Sequence, residues 1–149
     1  YMMKGYYGEP ERTAQTLVDG WVRSGDIATV DADGFLYIVD RVKDIIIRGG
    51  YNIAPSEVEA VIHRHPDVLE VAVIGVPDER WGEAIEAVVA LRSDTVDLPD
   101  LQTWCKQEGL SSLKVPETVV RVDSLPKNAV GKIDKASLRS ARWSTDRQV

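Results

Sequence analysis

The segments VLEVAVIGV (residues 68–76) and AIEAVVALR (84–92) decide the fold that we expect for this chain. Both are short and rich in β-branched and other apolar residues, which is typical of strands. ETVVRVDSL (117–125) is predicted to be a third strand. With about three helices interspersed, these strands predict a compact α+β unit. The helices are expected over PSEVEAVIHRHP (55–66), LPDLQTWCKQEGL (98–110) and DKASLRSARW (134–143).

Residues at the helix ends support these assignments. Pro55 suits the first turn of the first helix, where its missing N–H costs nothing. A capping box between Ser56 and Glu59 is an alternative start for the same helix. Gly109 is predicted to end the second helix and Asp134 to cap the third.

Two β-hairpins are predicted upstream of these elements. Residues 20–41 alternate apolar and polar residues around DADG, and DIIIRGGYNIA (44–54) carries Gly49 and Gly50 at its centre. Paired glycines supply the positive φ angles that a tight hairpin turn requires. The hairpin of residues 44–54 is therefore expected to turn at these two glycines.

The segment DRVKD (40–44) carries four charged residues in five, which is unusual for the interior of a fold. We interpret it as a hinge between two parts of the chain. The predicted division is a β-rich fragment over residues 1–40, a compact α+β domain over 41–143 and a frayed tail over 144–149.

Composition excludes several classes of function. Hydrophobic residues make up 44% of the chain, but no apolar run approaches the roughly 18 residues of a membrane span. The net charge of −6 argues against nucleic-acid binding, which depends on clustered Lys and Arg. The single cysteine, Cys105, is expected to be a packed core thiol and is typical of a reducing compartment, which predicts a cytoplasmic location.

No metal site is predicted from the sequence. His63 and His65 are two positions apart on a helix, so their side chains point in different directions. The segment from Asp31 to Val42 has its glycine at the fourth position of a calcium loop instead of the sixth, and Val42 stands where a Glu is needed.

Basic residues nevertheless gather at two places, which leaves room for an anionic ligand. One group follows the predicted hinge and the other lies in the Pro- and Gly-containing segment before the last helix. The first group is Arg41, Lys43 and Arg48, and the second is Lys127, Lys132 and Lys135.

Four short segments occur in an order that a set of unrelated surface turns would not reproduce. They are RSGD (23–26), DRVKD (40–44), RGGYN (48–52) and PKNAVGKIDK (126–135). On these segments the chain resembles the C-terminal part of adenylate-forming (AMP-binding) enzymes, and most closely acyl-CoA synthetases such as fatty-acid–CoA ligases. The resemblance runs from residue 5 to residue 139, and PKNAVGK matches the family pattern P-x-x-x-x-G-K.

The resemblance implies a two-step reaction. A carboxylate first attacks the α-phosphate of ATP and releases pyrophosphate, and the acyl group then passes to the thiol of coenzyme A. By resemblance, Lys132 is the catalytic cation that offsets the negative charge meeting at the α-phosphate. Asp26 matches the aspartate that accepts hydrogen bonds from the ribose hydroxyls, and Arg41 the arginine near ribose and phosphate.

The same family is thought to rotate its C-terminal lid domain between the two steps. Lys43 occupies the hinge position, and a lysine there favours a CoA ligase. Gly49 and Gly50 are expected to line the passage of the pantetheine arm, and Arg48 to help hold the phosphates of CoA. The β-rich fragment is then the end of the large adenylation domain, and the remainder is the lid.

The Ser-, Thr- and Gly-rich phosphate segment and the acid pocket of the family are not in this sequence. We therefore expect this chain to be a piece of a longer protein and to be inactive alone. The missing N-terminal domain is expected to bind Mg²⁺ with the ATP and to determine which fatty or aryl acid is used. The alternatives are the lid of an amino-acid-activating domain of a nonribosomal peptide synthetase, a luciferase-like enzyme and a free-standing α+β binding module.

Overall fold

The structure is a computed structural model that describes residues 2–93 and 98–143. The chain forms two compact units, Tyr1–Lys43 and Asp44–Val149. The division therefore falls after Lys43, whereas the sequence places it after residue 40. The predicted frayed tail, residues 144–149, lies outside the described residues.

The first unit consists of one helix and two small antiparallel hairpins. The first hairpin, which the sequence analysis did not predict, has two-residue strands, and the second is the predicted hairpin around DADG. The elements are α1 (Pro10–Thr16), β1 (Leu17–Val18), β2 (Trp21–Val22), β3 (Asp26–Val30) and β4 (Leu36–Arg41).

The side chain of Asp31 holds the turn between β3 and β4. Its Oδ1 accepts N–H groups from Phe35 at 2.9 Å and from Asp33 at 3.0 Å, and its Oδ2 accepts the hydroxyl of Tyr37 at 2.9 Å. These bonds favour the ionised carboxyl, so they lower the pKa of Asp31, with the Phe35 N–H contributing most. Gly34 completes the turn with a φ of +87°.

The second unit contains one five-stranded mixed sheet and three α-helices among the described residues. The sheet order is β6-β5-β8-β7, and β9 adds in parallel to β8. The predicted α+β class is confirmed. The predicted hairpin and the three predicted strands form a single sheet, because Arg48 of β5 pairs with Gly82 of β8. A 3-10 turn (Val42–Asp44) spans the division between the two units. The elements of the second unit are β5 (Ile46–Arg48), β6 (Tyr51–Ile53), α2 (Pro55–His63), β7 (Val68–Asp78), β8 (Gly82–Leu91), α3 (Leu98–Gln107), β9 (Thr118–Arg121) and α4 (Lys135–Ser140).

The helix ends agree with most of the sequence signals. Asp134 caps α4 by accepting the N–H groups of residues 136 and 137 at 3.1 and 3.2 Å. Gly109 follows α3 with a φ of +86°, and Pro55 lies in the first turn of α2. The alternative capping box does not form, because no side chain caps α2 and Glu59 instead accepts the N–H of Val73 in strand β7 at 2.7 Å.

Two apolar clusters cover opposite faces of the sheet. Val71 and Val73 of β7 belong to the cluster under α2 and α3, whereas Ala72 and Ile74 belong to the cluster under α4. Strands buried on both faces need apolar residues at consecutive positions, which explains the continuous apolar run of VLEVAVIGV. Within the part of the chain that the structure describes, no helix has the length and hydropathy of a membrane crossing.

The core assignment predicts a difference between two isoleucines of the same sheet. Ile85 is fully buried, so Ile85→Ala is expected to lower the free energy of unfolding by about 2–5 kcal/mol. Ile47 is 43% exposed, so Ile47→Ala is expected to lower it by less than about 1 kcal/mol. Urea unfolding followed by tryptophan fluorescence measures both. Equal losses for the two variants would contradict the assignment of the core.

Candidate functional site

Lys132 lies in a closed loop between β9 and α4. Lys127 and Ile133 form an antiparallel bridge at the base of the loop. Within it, the N–H of Asn128 donates to the carbonyl of Lys132 at 2.8 Å, and the N–H of Gly131 donates to the carbonyl of Asn128 at 2.9 Å. Gly131 adopts a φ of +80°, which suits a residue without a Cβ. The loop therefore has a defined hydrogen-bonded shape.

The three lysines of this segment have different environments. Lys127 pairs with Glu70 of β7, and Lys135 pairs with Glu59 of α2, each at 2.6 Å between Nζ and Oε1. Lys132 is exposed and forms no ion pair with any residue that the structure describes. Two of the lysine charges are thus paired locally, and Lys132 is the one of the three whose charge is not paired with a described residue.

The hairpin tip between β5 and β6 contains Gly49 and Gly50, with φ angles of +56° and +84°. A Cβ on Gly49 would lie 2.7 Å from Cε3 of Trp81, in the turn between β7 and β8. A Cβ on Gly50 would meet no atom within 4 Å. Gly49 is therefore required by packing as well as by backbone conformation, whereas Gly50 borders open space.

Arg48 precedes these glycines and is largely buried, with 11% of its side chain exposed. Its guanidinium forms an ion pair with Glu117, donates to the carbonyl of Leu113 at 3.3 Å and lies 5.0 Å from the ring centroid of Trp81. The charge of Arg48 is thus already balanced inside the second unit. A contact with CoA phosphates stays a prediction.

In the first unit, Asp26 and Arg41 are partners across the β3–β4 ladder. The Nε of Arg41 lies 3.1 Å from Oδ1 of Asp26. The N–H of Asp26 donates to the hydroxyl of Ser24 at 3.1 Å. The structure thus brings together two residues fifteen positions apart, and their roles toward a nucleotide stay predictions.

Lys43 lies between two anchored residues. On one side, the N–H of Val42 donates to the carbonyl of Gly25 at 2.8 Å within the first unit. On the other side, Asp44 pairs with Arg139 of α4 at 2.6 Å within the second unit, and both side chains are 13% exposed. The predicted hinge residue therefore lies at the end of one unit and directly before an anchored residue of the next.

The two histidines and the cysteine have structural surroundings. His63 is exposed at the end of α2, and His65 packs edge-on against Trp104 with ring centroids 5.0 Å apart. Cys105 is buried, as predicted, and burial raises the pKa of its thiol. No group of three or more His, Cys, Asp or Glu with metal-binding geometry occurs among residues 2–93 and 98–143.

Sequence reasoning missed the residues that hold the candidate site in place. Asn128 carried a usable signal, because Asn before a Gly-containing turn often bonds to the backbone that follows. Glu59, Glu70 and Glu117 gave none, because each meets its basic partner only through the tertiary fold. Trp81 likewise reaches Gly49 only through strand pairing.

Comparison with known families gives a match over about half of the chain. The family model described as AMP-binding enzyme C-terminal domain matches residues 57–132. A medium/long-chain-fatty-acid–CoA ligase of Mycobacterium tuberculosis is 48% identical over 147 residues, covering 93% of this chain and 26% of the ligase. A feruloyl-CoA synthase of an Amycolatopsis species is 50% identical over 139 residues, covering 93% of this chain and 28% of the synthase.

Solved structures give the same picture. The ATP-bound crystal structure of MatB from Rhodopseudomonas palustris is 37% identical with a TM-score of 0.87, and the match covers 93% of this chain and 28% of that protein. The chain thus spans about a quarter of the length of the curated relatives it matches. The resemblance stated from the sequence motifs is confirmed.

The ion pair between Lys127 and Glu70 predicts a pH dependence of stability. The hydrogen bond from Lys127 lowers the pKa of Glu70 below its ordinary 4.5. A carboxyl with a lowered folded-state pKa stabilises the fold above the unfolded pKa, and this contribution is lost as the pH falls through the folded-state value. The difference in unfolding free energy between wild type and Glu70→Gln is therefore expected to be largest above about pH 4.5 and to shrink below it.

Urea unfolding of the chain between about pH 3.5 and pH 7 measures this difference. Glu79→Gln is the matched control, since Glu79 is exposed and forms no ion pair among the described residues. A Glu70→Gln difference that stays constant across the range would contradict the assigned pairing.

Proposed function

Because this chain belongs to the AMP-binding enzyme C-terminal domain family, we propose that it is the lid domain of an ATP-dependent acid–CoA ligase, together with the end of its large domain. The observation that carries the proposal is the exposed Lys132, whose two neighbouring lysines are neutralised by Glu59 and Glu70. A lysine that stabilises the lid would be paired as they are, whereas one that serves a ligand held elsewhere must remain available.

The first step joins a carboxylic acid to ATP. A carboxylate oxygen attacks the α-phosphorus, the bond to the pyrophosphate oxygen breaks, and an acyl-adenylate forms. The carboxylate is already a nucleophile, so no general base is needed, and the obstacle is the approach of one anion to another. The ammonium of Lys132 offsets this repulsion while the negative charge on the phosphate oxygens redistributes. Lys132 is therefore the proposed catalytic residue.

Asp26 and Arg41 are proposed to serve the nucleotide in the same step. A carboxylate has two acceptor oxygens, which matches the two neighbouring hydroxyls of a ribose. The ion pair at 3.1 Å orients the carboxylate of Asp26, and the exposed side chain of Arg41 supplies positive charge beside it. The hydroxyl of Ser24 fixes the backbone of Asp26.

The second step transfers the acyl group to coenzyme A. The thiol sulfur attacks the acyl carbon, the bond to the phosphate oxygen breaks, and AMP leaves. We propose that the lid turns at Lys43 between the steps. Val42 and Asp44 are each anchored to their own unit, so a change of backbone angles is expected to concentrate at the residue between them. Gly49 and Gly50 then line the passage of the thiol, with Arg48 as the proposed contact for the CoA phosphates.

The first unit is proposed to be the edge of the large adenylation domain. Asp40 is the only buried residue that it contributes among those the structure describes, so it has no apolar core of its own. A two-stranded hairpin of this kind is marginal without a partner surface. The relatives are about four times longer than this chain, and their additional residues are proposed to supply that surface. The exposed apolar side chains of β3, β4 and their turn are Val30, Phe35, Leu36, Tyr37, Ile38 and Val39.

The acid substrate is proposed to be a fatty or aryl carboxylic acid, supported by the names of the relatives. As the resemblance implies, Mg²⁺ is proposed to be bound together with the ATP by the missing N-terminal domain. The single cysteine supports a cytoplasmic location. The lid alone is expected to be inactive, because the nucleotide and acid sites require that missing domain.

Replacing Lys132 tests the proposed function. In the full-length enzyme, Lys132→Ala is expected to slow acyl-adenylate formation by about 10²–10³-fold, the scale of removing one positioned charge stabiliser. Pyrophosphate release from acid and ATP measures this step. Transfer of the acyl group from a preformed acyl-adenylate to CoA is expected to change little, since Lys132 has left the site by then.

Lys106→Ala is the matched control, because it removes another lysine charge, from the surface of α3. It is expected to leave both half-reactions unchanged. Equal slowing of the two half-reactions by Lys132→Ala would refute a role confined to adenylation.

Replacing Gly50 is expected to have the opposite effect. In the full-length enzyme, Gly50→Leu places a side chain in open space at the hairpin tip and should slow acyl transfer to CoA, with adenylation largely spared. Gly109→Leu is the control, since Gly109 has a nearly identical φ of +86° and also borders open space. A loss of adenylation as large as the loss of transfer would contradict the proposed passage.

A further inference from the structure

The shape of the Lys132 loop is not imposed by packing. Val130 is 77% exposed, and a Cβ on Gly131 would meet no atom within 4 Å. Ile133, at the base of the loop, is the one apolar residue of Val130–Ile133 that packs against a buried cluster, which includes Leu125 and Leu138. The path of the backbone through Lys132 must therefore be determined by hydrogen bonds.

Asn128 supplies those hydrogen bonds. Its Oδ1 accepts the N–H of Lys132 at 3.0 Å and the N–H of Val130 at 3.1 Å. Its own backbone donates to the carbonyl of Lys132 and accepts from Gly131. Both backbone polar groups of Lys132 are thus bonded to a single residue, so the point from which the ammonium projects is fixed relative to Asn128.

The base of the loop is fixed independently. The Lys127–Glu70 pair anchors it to β7 and the Lys135–Glu59 pair anchors the start of α4 to α2. These pairs hold the loop at residues 127 and 135, outside the N–H groups of Val130 and Lys132 that the side chain of Asn128 accepts. Asn128 itself is exposed, so replacing it leaves both apolar clusters intact.

We propose that Asn128 is a positioning residue for adenylation, which acts by holding the backbone of Lys132 so that the ammonium arrives at the α-phosphate already oriented. The inference rests on the proposed function of Lys132. A loop that carries a charge into a separately held ligand gains most when its conformation is set in advance, because a displacement of about 1 Å can cost roughly 10²-fold in rate. The amide oxygen suits this task, because it accepts two N–H groups without adding charge beside the phosphates.

Two substitutions that differ by a single oxygen atom test the role of the acceptor. In the full-length enzyme, Asn128→Ala removes the acceptor oxygen. Asn128→Ser replaces it with a hydroxyl oxygen, which accepts from the following backbone more weakly. We expect Asn128→Ala to slow pyrophosphate release from acid and ATP by about 10–10²-fold and Asn128→Ser to fall between it and wild type. Acyl transfer from preformed acyl-adenylate to CoA is expected to be unchanged in both variants.

A double-mutant cycle tests whether Asn128 acts through Lys132. If it does, Asn128→Ala in a Lys132→Ala background slows adenylation no further, because the group that it positions is gone. Independent, multiplicative losses would overturn the proposal, as would equal losses in adenylation and transfer by Asn128→Ala alone, which a purely structural role predicts.

The outcomes also separate this inference from the proposed function. Normal adenylation in Lys132→Ala would overturn both. Slow adenylation in Lys132→Ala with normal adenylation in Asn128→Ala would overturn only the positioning role and leave the proposed function standing.

Discussion

The second unit depends on the burial of β7 and β8 on both faces. Because helices cover each side, the central residues of both strands are buried, and the lysine loop and the glycine hairpin each contact this pair of strands. Glu70 of β7 holds the base of the lysine loop, and the turn between the strands carries Trp81 against the glycine tip. Glu83 of β8 accepts the N–H of Ile47 at 2.7 Å and ties β5 to the same sheet. A change in the geometry of β7 and β8 would therefore displace both the lysine loop and the glycine hairpin.

Charge is distributed over this framework in a consistent way. Some charged side chains that join elements are paired and largely shielded, as with Arg139 and Asp44 or Arg48 and Glu117. Shielded pairs of this kind are costly to break, because removal of one partner leaves a desolvated charge behind. Lys132 is the opposite case, since it is exposed and forms no ion pair with any residue that the structure describes. An exposed and unpaired charge at a structured turn is what the proposed role of Lys132 toward a ligand requires.

Local sequence signals predicted much of the fold, whereas the roles of the named site residues stay predictions. Strand composition, the paired glycines, Asp134 as a helix cap and the DADG turn act over a few residues, and each formed as expected. The capping box did not form, because the carboxylate of Glu59 accepts the N–H of Val73 in β7 instead. The union of the hairpin with the other strands, and the partners of Lys127 and Lys135, arise from contacts between residues far apart in the chain. A pattern read along the chain carries no information on such pairings.

The two glycines of the hairpin tip require different explanations, although the sequence presents them as equals. Gly49 lies under the indole of Trp81, so its lack of a side chain is accounted for by packing whether or not a thiol passes nearby. Gly50 has no neighbour that would reject a side chain, and its φ of +84° costs a larger residue only backbone strain. The physical case for a passage therefore rests on Gly50. Trp81 packs close to Gly49, and the guanidinium of Arg48, which is paired with Glu117, lies 5.0 Å from the centroid of the same ring.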